Sequence, residues 1–592
     1  MHPFAKLKTL LRGIPEKNLL LILSLFVGIC SGLAAVILTT LVEHIKDFLT
    51  SRIVTAGETV LYLVLPGVGM LISMLLLRYV IKDKIGHGVT KVLVAVSKNE
   101  SRIKPHNMWS SILTSSLTIG FGGSVGAEAP IVYTGAAIGS NVARMMGLSY
   151  RSMTILLGCG AAGAVAGIFK APLAGVLFTL EILMFNISMT SMMPLLLSTV
   201  SATVISYLFL GNSLPFVCTL SPFRMENIPF YILLGIFCGF CSLYFLRMTL
   251  TLEDKLSGFR NPYLKWLFCA VLLGLLIFLF PPLYGEGYGD LHPLLNGEEV
   301  NYDGTTLLSG MLHTPWMVPV FFALVLLLKV FAMTFTNAGG GVGGTFGPTL
   351  FVGALAGFIL ARIINLVLSG SDFVVPEQNF VLVGMAGLMA GVMQAPMTAI
   401  FLIAEISGGY ELLIPLIITS TVSFGTVRIF EKYSIYTKRI AQSGDLLTHD
   451  NDQAVLTLMH TNDLIRDKYP KVQIDASLRE VVDIIRDSEA AVLAVIDGNG
   501  RFQGMVDVAA SRKYLFSPDK YDSVHVYNMM ETPPEYIFYG EKMDTVMNKF
   551  EKTGAWRLPV VDRDTRKYLG FISKSRLLMA YRSELKEISV ED

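Results

Sequence analysis

Two glycine-rich stretches, Gly122-Gly-Ser-Val-Gly-Ala-Glu-Ala-Pro130 and Gly339-Gly-Gly-Val-Gly-Gly-Thr-Phe-Gly-Pro348, interrupt long apolar sequence in the two halves of the chain. Shifting the chain by 218 superimposes three of their glycines and the final proline. In a bilayer, irregular backbone of this kind survives only where it is buried in protein or lines an aqueous cavity. Broken segments at matching positions of two repeats are typical of transporters whose ion site lies between the repeats. The stretches therefore predict a duplicated membrane domain with a central ion site.

The duplication extends beyond these stretches. Shifting the chain by 224 aligns the small residues of 160–172 with those of 384–396, and it places Glu181 on Glu405. The difference between the two shifts corresponds to one short insertion. Whether the repeats are inverted depends on the number of crossings in each half, which the apolar runs leave open. We expect the inverted arrangement, which is common among transporters with broken helices.

The composition places most of the chain in lipid. Of 592 residues, 53% are hydrophobic and only 16% are charged, with a mean hydropathy of +0.57, whereas soluble proteins average about 25% charged residues. Nine apolar runs are long enough to cross about 30 Å of hydrocarbon, which takes roughly 20 helical residues. They are 18–42, 60–77, 182–222, 229–246, 266–284, 316–337, 344–361, 378–404 and 412–427. These runs predict an all-α, polytopic membrane domain.

Charge and cysteine content exclude several functions. A net charge of +1 is too small for the phosphate neutralisation that nucleic-acid binding requires. The six cysteines lie in apolar stretches, so they are interpreted as packing residues, including the pair Cys238-x-x-Cys241. The sequence offers no Ser/His/Asp grouping, metal-spaced cluster or phosphate loop. We therefore expect no enzyme, no cofactor, no metal site and no nucleic-acid partner.

From about residue 444 the composition becomes that of a soluble α/β region rich in Asp, Glu, Lys and Arg. Two βαβ-like units follow, each with an amphipathic helix before a strand, a turn and a second strand. The predicted helices cover 477–487 and 541–552, and the strand pairs lie within 492–506 and 558–572. Asp497 and Gly504 correspond to Asp562 and Gly570. This correspondence predicts a tandem repeat.

Three glycine-containing turns are candidates for binding an anion: Gly86-His-Gly-Val-Thr90, Gly126-Ala-Glu-Ala-Pro130 and Gly344-Thr-Phe-Gly-Pro348. At a helix start, unpaired backbone N–H groups and the positive end of the helix dipole both favour an anion. Close packing of small residues would explain any one of them alone. Three turns in one chain, two of them duplicates, favour an anion site.

Glu128 is the one carboxylate within these turns. A carboxylate in apolar membrane sequence is costly unless it is solvated or paired, so it marks a functional site. When ionised it can occupy an anion site, and when protonated it can leave, which would make it a gate. The alternative is a structural acid that complements the dipole of its own helix. Lys170 and Lys329 also interrupt apolar runs, and both are interpreted as snorkelling to an interface.

These motifs resemble the CLC family of chloride channels and transporters, followed by a cytoplasmic pair of CBS domains, over essentially the whole chain. The resemblance implies an anion transport domain over residues 1–443, a first CBS domain over 444–525 and a second over 526–592. Glu128 resembles the gating glutamate of the family motif G-x-E-x-P, although Ala127 stands where the family usually has arginine.

The resemblance also implies the anion-binding residues. The family motif G-x-F-x-P matches the third turn, which implies that the backbone N–H groups of Thr345 and Phe346 contact the anion. Tyr436 resembles the family's pore tyrosine; without the resemblance it would be an interfacial aromatic anchor. The first turn departs from the usual G-S-G-I-P, because His87 replaces the serine and Thr90 the proline. His87 and Gly88 are predicted anion-binding residues, with a water-facing His87 as the alternative.

Family antiporters carry a second, intracellular glutamate that passes protons to the gate, just after the position matched by Glu181. This chain has Ile182 there, which implies an uncoupled or weakly coupled pathway, unless Glu181, another residue or water carries the proton. A structural role is the alternative for Glu181. The family's nucleotide signature would put an acid at Arg576, three residues after Ser573. Ser573 and Arg576 are the candidate nucleotide contacts, and weak or no nucleotide binding is expected because the acid is replaced.

The function predicted by the resemblance is transport of chloride or a similar small anion through a glutamate-gated pore, channel-like with weak or no proton coupling. The alternatives are a chloride/proton antiporter and, more remotely, a CBS-regulated cation transporter, which would require acidic rings along its path. The resemblance implies a homodimer, multi-pass in the cell membrane. Basic residues near the N-terminus and the soluble tail predict that both termini are cytoplasmic. These basic residues are Lys6, Lys8, Arg12 and Lys17.

Overall fold

The protein divides into two compact units, Met1–Leu447 and Thr448–Asp592. The computed structural model describes residues 15–56, 61–83, 86–183, 189–212, 216, 220–298, 314–369, 373–442, 459, 461–488 and 490–589. The predicted domain boundary at residue 443, Cys218 and three of the basic N-terminal residues lie outside the described residues. The first unit is helical and the second combines helices with two small sheets.

The first half of the helical unit contains eight described α-helices. They are α1 (Glu16–Ala56), α2 (Leu61–Leu75), α3 (Gly88–Lys98), α4 (Ser110–Gly120), α5 (Glu128–Met146), α6 (Tyr150–Phe169), α7 (Pro172–Glu181) and α8 (Met189–Leu210). Helix α2 continues as one π-helical turn, Leu76–Ile81. The second half contains nine described α-helices. They are α9 (Ile228–Ser257), α10 (Pro262–Leu279), α11 (Tyr288–Asn296), α12 (Met317–Ala338), α13 (Phe346–Val367), α14 (Glu377–Met393), α15 (Pro396–Ile406), α16 (Leu413–Phe430) and α17 (Ile435–Gln442).

Nine helical segments within the described ranges are long and apolar enough to cross a membrane, but one predicted run is wrong. Run 378–404 is two helices, because Gln394 adopts a left-handed φ of 53° and Pro396 opens α15. Run 182–222 holds one helix of spanning length, α8, which occupies about half of the run. The spanning helix α6 escaped prediction because much of it is glycine and alanine rather than large apolar residues.

The predicted duplication is visible in the backbone. Helices α5 and α13 begin at Glu128 and Phe346, which are related by the first shift, and α6 and α14 end at Phe169 and Met393, which are related by the second. Left-handed residues also recur at equivalent positions. Gly122 and Gly340 have φ of 94° and 100°, and Lys170 and Gln394 have φ of 56° and 53°. The two halves therefore share the same turns as well as the same helices.

Small residues let the helices of each half approach closely. A Cβ atom added to Gly135 of α5 would lie 2.1 Å from the carbonyl oxygen of Gly160 in α6. At the equivalent position in the second half, a Cβ added to Gly353 of α13 would lie 2.5 Å from the carbonyl oxygen of Gly384 in α14. Such backbone approach is how helices pack in lipid, where apolar side chains alone give little driving force. Equivalent glycines therefore join α5 to α6 and α13 to α14.

The second unit contains two three-stranded sheets with the same topology. Its first part has α18 (Thr461–Leu464), β1 (Lys471–Gln473), α19 (Leu478–Arg486), β2 (Val492–Ile496), β3 (Phe502–Asp507) and α20 (Arg512–Leu515). Its second part has β4 (Ile537–Phe538), α21 (Met543–Thr553), β5 (Arg557–Val561), β6 (Tyr568–Ser573) and α22 (Lys574–Ser589). In the first sheet β1 and β2 are parallel, and β2 and β3 are antiparallel. In the second sheet β4 and β5 are parallel, and β5 and β6 are antiparallel.

The predicted repeat of the second unit is confirmed by strand register. Gly504 pairs with Val495 across β2 and β3, and Gly570 pairs with Val560 at the equivalent place across β5 and β6. Helix α19 begins after Ser477, whose side chain forms a capping box with its own first turn. The helix and strands predicted from the amphipathic pattern are therefore present in both parts.

Candidate functional site

The two glycine-rich stretches meet at the centre of the helical unit. The Gly126 N–H donates to the Gly344 carbonyl oxygen at 3.0 Å, and the Gly344 N–H donates to the Gly126 carbonyl oxygen at 2.7 Å. This antiparallel bridge sets the first turns of α5 and α13 side by side, because each helix begins two residues later. N–H groups without a partner inside their own helix, and the positive ends of helices from both repeats, therefore converge on one small region.

Glu128 lies in this region and reaches from one repeat to the other. It is the first residue of α5, and only 3% of its surface is exposed. Its Oε2 accepts a hydrogen bond from the Gly347 N–H in the first turn of α13 at 3.2 Å, and its Oε1 accepts one from the Tyr288 hydroxyl at 2.8 Å. The carboxylate thus occupies the place where the N-terminus of α13 would hold an anion.

Thr345, Phe346 and Tyr436 surround the same region. Thr345 caps α13 and Phe346 is its first residue. The Tyr436 hydroxyl, on a side chain that is 2% exposed, lies 3.5 Å from the Thr345 Oγ1. The structure therefore brings together Glu128 and the three residues predicted from the third turn and the tyrosine motif. Gly347, whose N–H bonds the carboxylate, was not among the predicted contacts.

His87 and Gly88 start α3 beside this region. A Cβ added to Gly88 would lie 2.3 Å from the Ala129 carbonyl oxygen, so the start of α3 touches the first turn of α5. The His87 imidazole faces a carboxylate: its Nε2 lies 3.3 Å from the Glu253 Oε1. Arg439 holds that carboxylate with both ends of its guanidinium, at 2.6 and 3.1 Å. The side chain of His87 thus belongs to a cluster with Glu253 and Arg439, while Gly88 lies against the first turn of α5, which carries Glu128.

Glu181 and Glu405 make reciprocal contacts between the repeats. Glu181 accepts hydrogen bonds from the N–H groups of Met397 and Thr398 in α15, at 3.2 and 2.7 Å. Glu405 accepts them from two N–H groups at the start of α7, at 3.1 and 2.9 Å. Each carboxylate caps the other repeat's short helix, and such mutual contacts imply a two-fold relation between the halves. The geometry favours the structural interpretation of Glu181. Ile182 beside it is buried.

Two residues near Glu128 were not predicted from the sequence, and a third was predicted to lie elsewhere. Lys329 is fully buried, and its Nζ donates to the Gly285 carbonyl oxygen at 2.9 Å, so the prediction that it snorkels to an interface is wrong. Glu286, in the loop before α11, accepts a hydrogen bond from the Ala127 N–H at 2.9 Å. Tyr288 opens α11 and bonds Glu128. The stretch Tyr284-Gly-Glu-Gly-Tyr-Gly-Asp290 carries the same signal as the gate motif, a carboxylate among glycines.

In the second unit, Ser573 and Arg576 lie at the junction of β6 and α22. The Arg576 N–H donates to the Ser573 Oγ at 3.4 Å, and its guanidinium donates to the Asp463 carbonyl oxygen at 3.3 Å. Asp497 and Asp562, which occupy equivalent positions in the two repeats, stabilise the turns between strands. Each carboxylate accepts a hydrogen bond from a backbone N–H in its own turn, that of Arg501 or Thr565, and this bond lowers the pKa of the aspartate below its ordinary value.

Comparisons with known proteins agree with these two units. The family described as "Voltage gated chloride channel" matches residues 68–428, and the family described as "CBS domain" matches residues 462–509 and 526–583. A putative chloride channel protein, ClcB-like, from Ralstonia nicotianae is 27% identical over 389 residues, which are 65% of this chain and 86% of that protein.

Solved structures share the fold. A slow cyanobacterial Cl−/H+ antiporter superimposes with a TM-score of 0.63 at 21% identity, covering 72% of this chain and 97% of its own. A CLC-type fluoride/proton antiporter gives 0.59 at 22% identity, with 71% and 97% covered. The chain therefore belongs to the voltage-gated chloride channel family, as a multi-pass membrane protein with a pair of CBS domains at its C-terminal end.

Proposed function

We propose that this protein carries chloride across the cell membrane through a pathway that the Glu128 carboxylate gates. The observation that carries the proposal is the bond from the Gly347 N–H at the start of α13 to the Glu128 Oε2. An ionised carboxylate satisfies the helix N-terminus as a chloride ion would. Protonation removes the charge, weakens this bond and lets an anion take its place.

The anion-binding groups of the proposed pathway are neutral donors. They are the N–H groups of Thr345, Phe346 and Gly347, the Tyr436 hydroxyl and the backbone at Gly88. Donors aimed at one place from helix starts favour anions over cations, which supports chloride over the alternative of a CBS-regulated cation transporter. His87 enters this proposal only through its backbone, because its imidazole is 3.3 Å from Glu253.

For proton coupling we favour a channel-like pathway with weak or no coupling. Ile182 is buried and cannot carry a proton, and the Glu181 carboxylate is engaged by two N–H groups and a hydroxyl of α15. The second candidate is a chloride/proton antiporter. It is favoured by the His87–Glu253 contact, two titratable groups at the start of α3, next to a glycine that touches the gate helix. This pair would provide the relay that Ile182 does not.

The topology and assembly belong to the same proposal. With the N-terminus and the CBS pair in the cytoplasm, the Glu16 end of α1 faces the cytoplasm. By its family membership we expect a homodimer in the cell membrane, with one pathway in each subunit. Cross-linking in membranes and cysteine accessibility from each side of the bilayer would test these two statements.

Flux from proteoliposomes loaded with radioactive chloride tests the transport proposal, with magnesium flux as the control for the cation alternative. Chloride efflux without magnesium efflux supports the proposal, whereas the opposite pattern overturns it. The reversal potential at a fixed chloride gradient and a varied pH gradient then separates channel from antiporter. A value that stays at the chloride equilibrium potential supports the channel-like pathway, and one that moves with the proton gradient supports the antiporter.

A further inference from the structure

Glu286 repeats, at the start of α5, the contact that Glu128 makes at the start of α13. The Glu286 Oε1 accepts a hydrogen bond from the Ala127 N–H at 2.9 Å, and Ala127 is the residue that caps α5. Glu128 in turn accepts one from the first turn of α13. Each of the two facing helix starts therefore holds a carboxylate that comes from elsewhere in the fold, and the gate accounts for only one of them.

The loop that carries Glu286 is held firmly against both halves of the membrane unit. The Gly285 N–H donates to the Gly122 carbonyl oxygen at 3.0 Å, in the turn before α5. The buried Lys329 of α12 donates to the Gly285 carbonyl oxygen at 2.9 Å. Two residues after Glu286, the Tyr288 hydroxyl bonds Glu128 itself. The position of the Glu286 carboxylate is therefore set by the same elements that set the gate.

Contacts of the Glu286 loop show which end of the pathway it occupies. Gly285 bonds Gly122, just after α4 ends at Gly120, and a Cβ added to Gly120 would lie 2.6 Å from the Ile45 Cγ2 of α1. Ile45 lies about 44 Å along α1 from Glu16, at 1.5 Å per residue. The charged groups that act electrostatically on the carboxylate are Glu128, Lys329 and Lys46. Glu286 thus lies towards the mouth remote from the Glu16 end of α1, which is the extracellular mouth in the proposed topology.

We propose that Glu286 is a second gating carboxylate, which competes with the incoming anion for the Ala127 N–H at this mouth. The inference rests on the proposed function. An anion that approaches the Glu128 position from this side meets the start of α5, where Glu286 already satisfies the N–H and adds a like charge. Removal of the charge, by protonation or substitution, opens this binding position to chloride, so Glu286 controls anion entry while Glu128 controls passage.

The test is the KM for chloride presented to this mouth in proteoliposomes. Glu286→Gln keeps the size of the side chain and removes its charge, so KM is expected to fall about three- to tenfold, the effect of one charge at a helix start, and to change more than the maximum rate. The matched control is Glu298→Gln, an exposed carboxylate just beyond the other end of α11, which is expected to behave like the wild type.

The first step of a second measurement needs no Glu286 variant, so it does not depend on the folding of one. In a Glu128→Gln background, KM is measured while the pH on this side alone is lowered. We expect KM to fall with pH, and to lose this dependence when Glu286→Gln is added.

The outcomes separate the two proposals. Wild-type transport with a lower KM in Glu286→Gln supports this inference. Wild-type transport with an unchanged KM, or with a KM that is independent of pH in the Glu128→Gln background, overturns it and leaves the proposed function standing. Absence of chloride transport in the wild type and in Glu298→Gln overturns both.

Discussion

Replacing Glu128 by glutamine should open the pathway and abolish its response to pH. The side chain keeps its length and one oxygen acceptor, but it loses the charge that holds it against the start of α13. The amide resembles the protonated, displaced carboxyl group. Wild-type flux at saturating chloride should rise as pH falls, since protonation makes the same change, whereas flux through Glu128→Gln should be high and flat.

The size of the effect follows from the two bonds of the carboxylate. Hydrogen bonds to a charged group contribute about 1.5–3 kcal/mol each, and the Glu128 carboxylate accepts one from the Gly347 N–H at 3.2 Å and one from the Tyr288 hydroxyl at 2.8 Å. The amide oxygen can keep one of these bonds. The state in which the side chain blocks the pathway should therefore lose the free energy of one hydrogen bond to a charged group. That loss corresponds to roughly a ten- to hundredfold shift from occluded to open.

The assay is chloride flux from proteoliposomes over a range of pH, measured at saturating chloride so that entry does not limit the rate. Glu411→Gln provides the control, because Glu411 is an exposed carboxylate in the turn before α16. Chloride binding measured by calorimetry should persist in Glu128→Gln. If the wild type and Glu128→Gln respond identically to pH, Glu128 is not the gate.

Three further predictions concern other parts of the chain. The reversal potential of the reconstituted wild type should stay at the chloride equilibrium value when the pH gradient is varied, because Ile182 cannot carry protons; a shift at fixed stoichiometry would make the protein an antiporter. Calorimetry on the full-length protein should detect weak or no binding of ATP or AMP, because Arg576 stands where the nucleotide signature has an acid; micromolar binding would contradict this. Glu181→Gln and Glu405→Gln should each destabilise the protein by about 1–2 kcal/mol, the worth of a helix cap, seen as a lower midpoint in detergent thermal unfolding; equal midpoints for variants and wild type would show that these caps add nothing.

The central geometry could be predicted because its signal is repeated within the sequence. One glycine-rich turn is compatible with simple packing, but two turns that align under one shift require equivalent positions in the fold. The bridge between Gly126 and Gly344 is the physical form of that repeat. In the second unit, the pairing of Gly504 and Gly570 at equivalent strand positions follows from the same kind of internal comparison.

What the sequence did not predict depends on contacts between distant residues. Nothing beside Lys329 in the chain indicates that its Nζ will find the Gly285 carbonyl oxygen, so an interfacial lysine was the natural expectation. The contact of His87 with Glu253 likewise has no local signal, because the two residues lie far apart in the sequence. Glu286 accepts a hydrogen bond from the Ala127 N–H, although the two residues lie 159 positions apart in the sequence. Local patterns reveal which residues are unusual, and only the folded chain shows what they touch.

The mutual contacts of Glu181 and Glu405 also have a consequence for biosynthesis. The carboxylate that satisfies the start of α7 is made 232 residues after the N–H group of Leu173 that needs it. At about 5–20 residues per second, the ribosome delivers Glu405 on the order of 10–50 s later. During that interval the first N–H groups of α7 lack the Glu405 carboxylate as an acceptor. Pro172, the first residue of α7, reduces the number of such groups by one because it has no N–H. Translation speed between the halves should therefore influence how much of the protein reaches its native state.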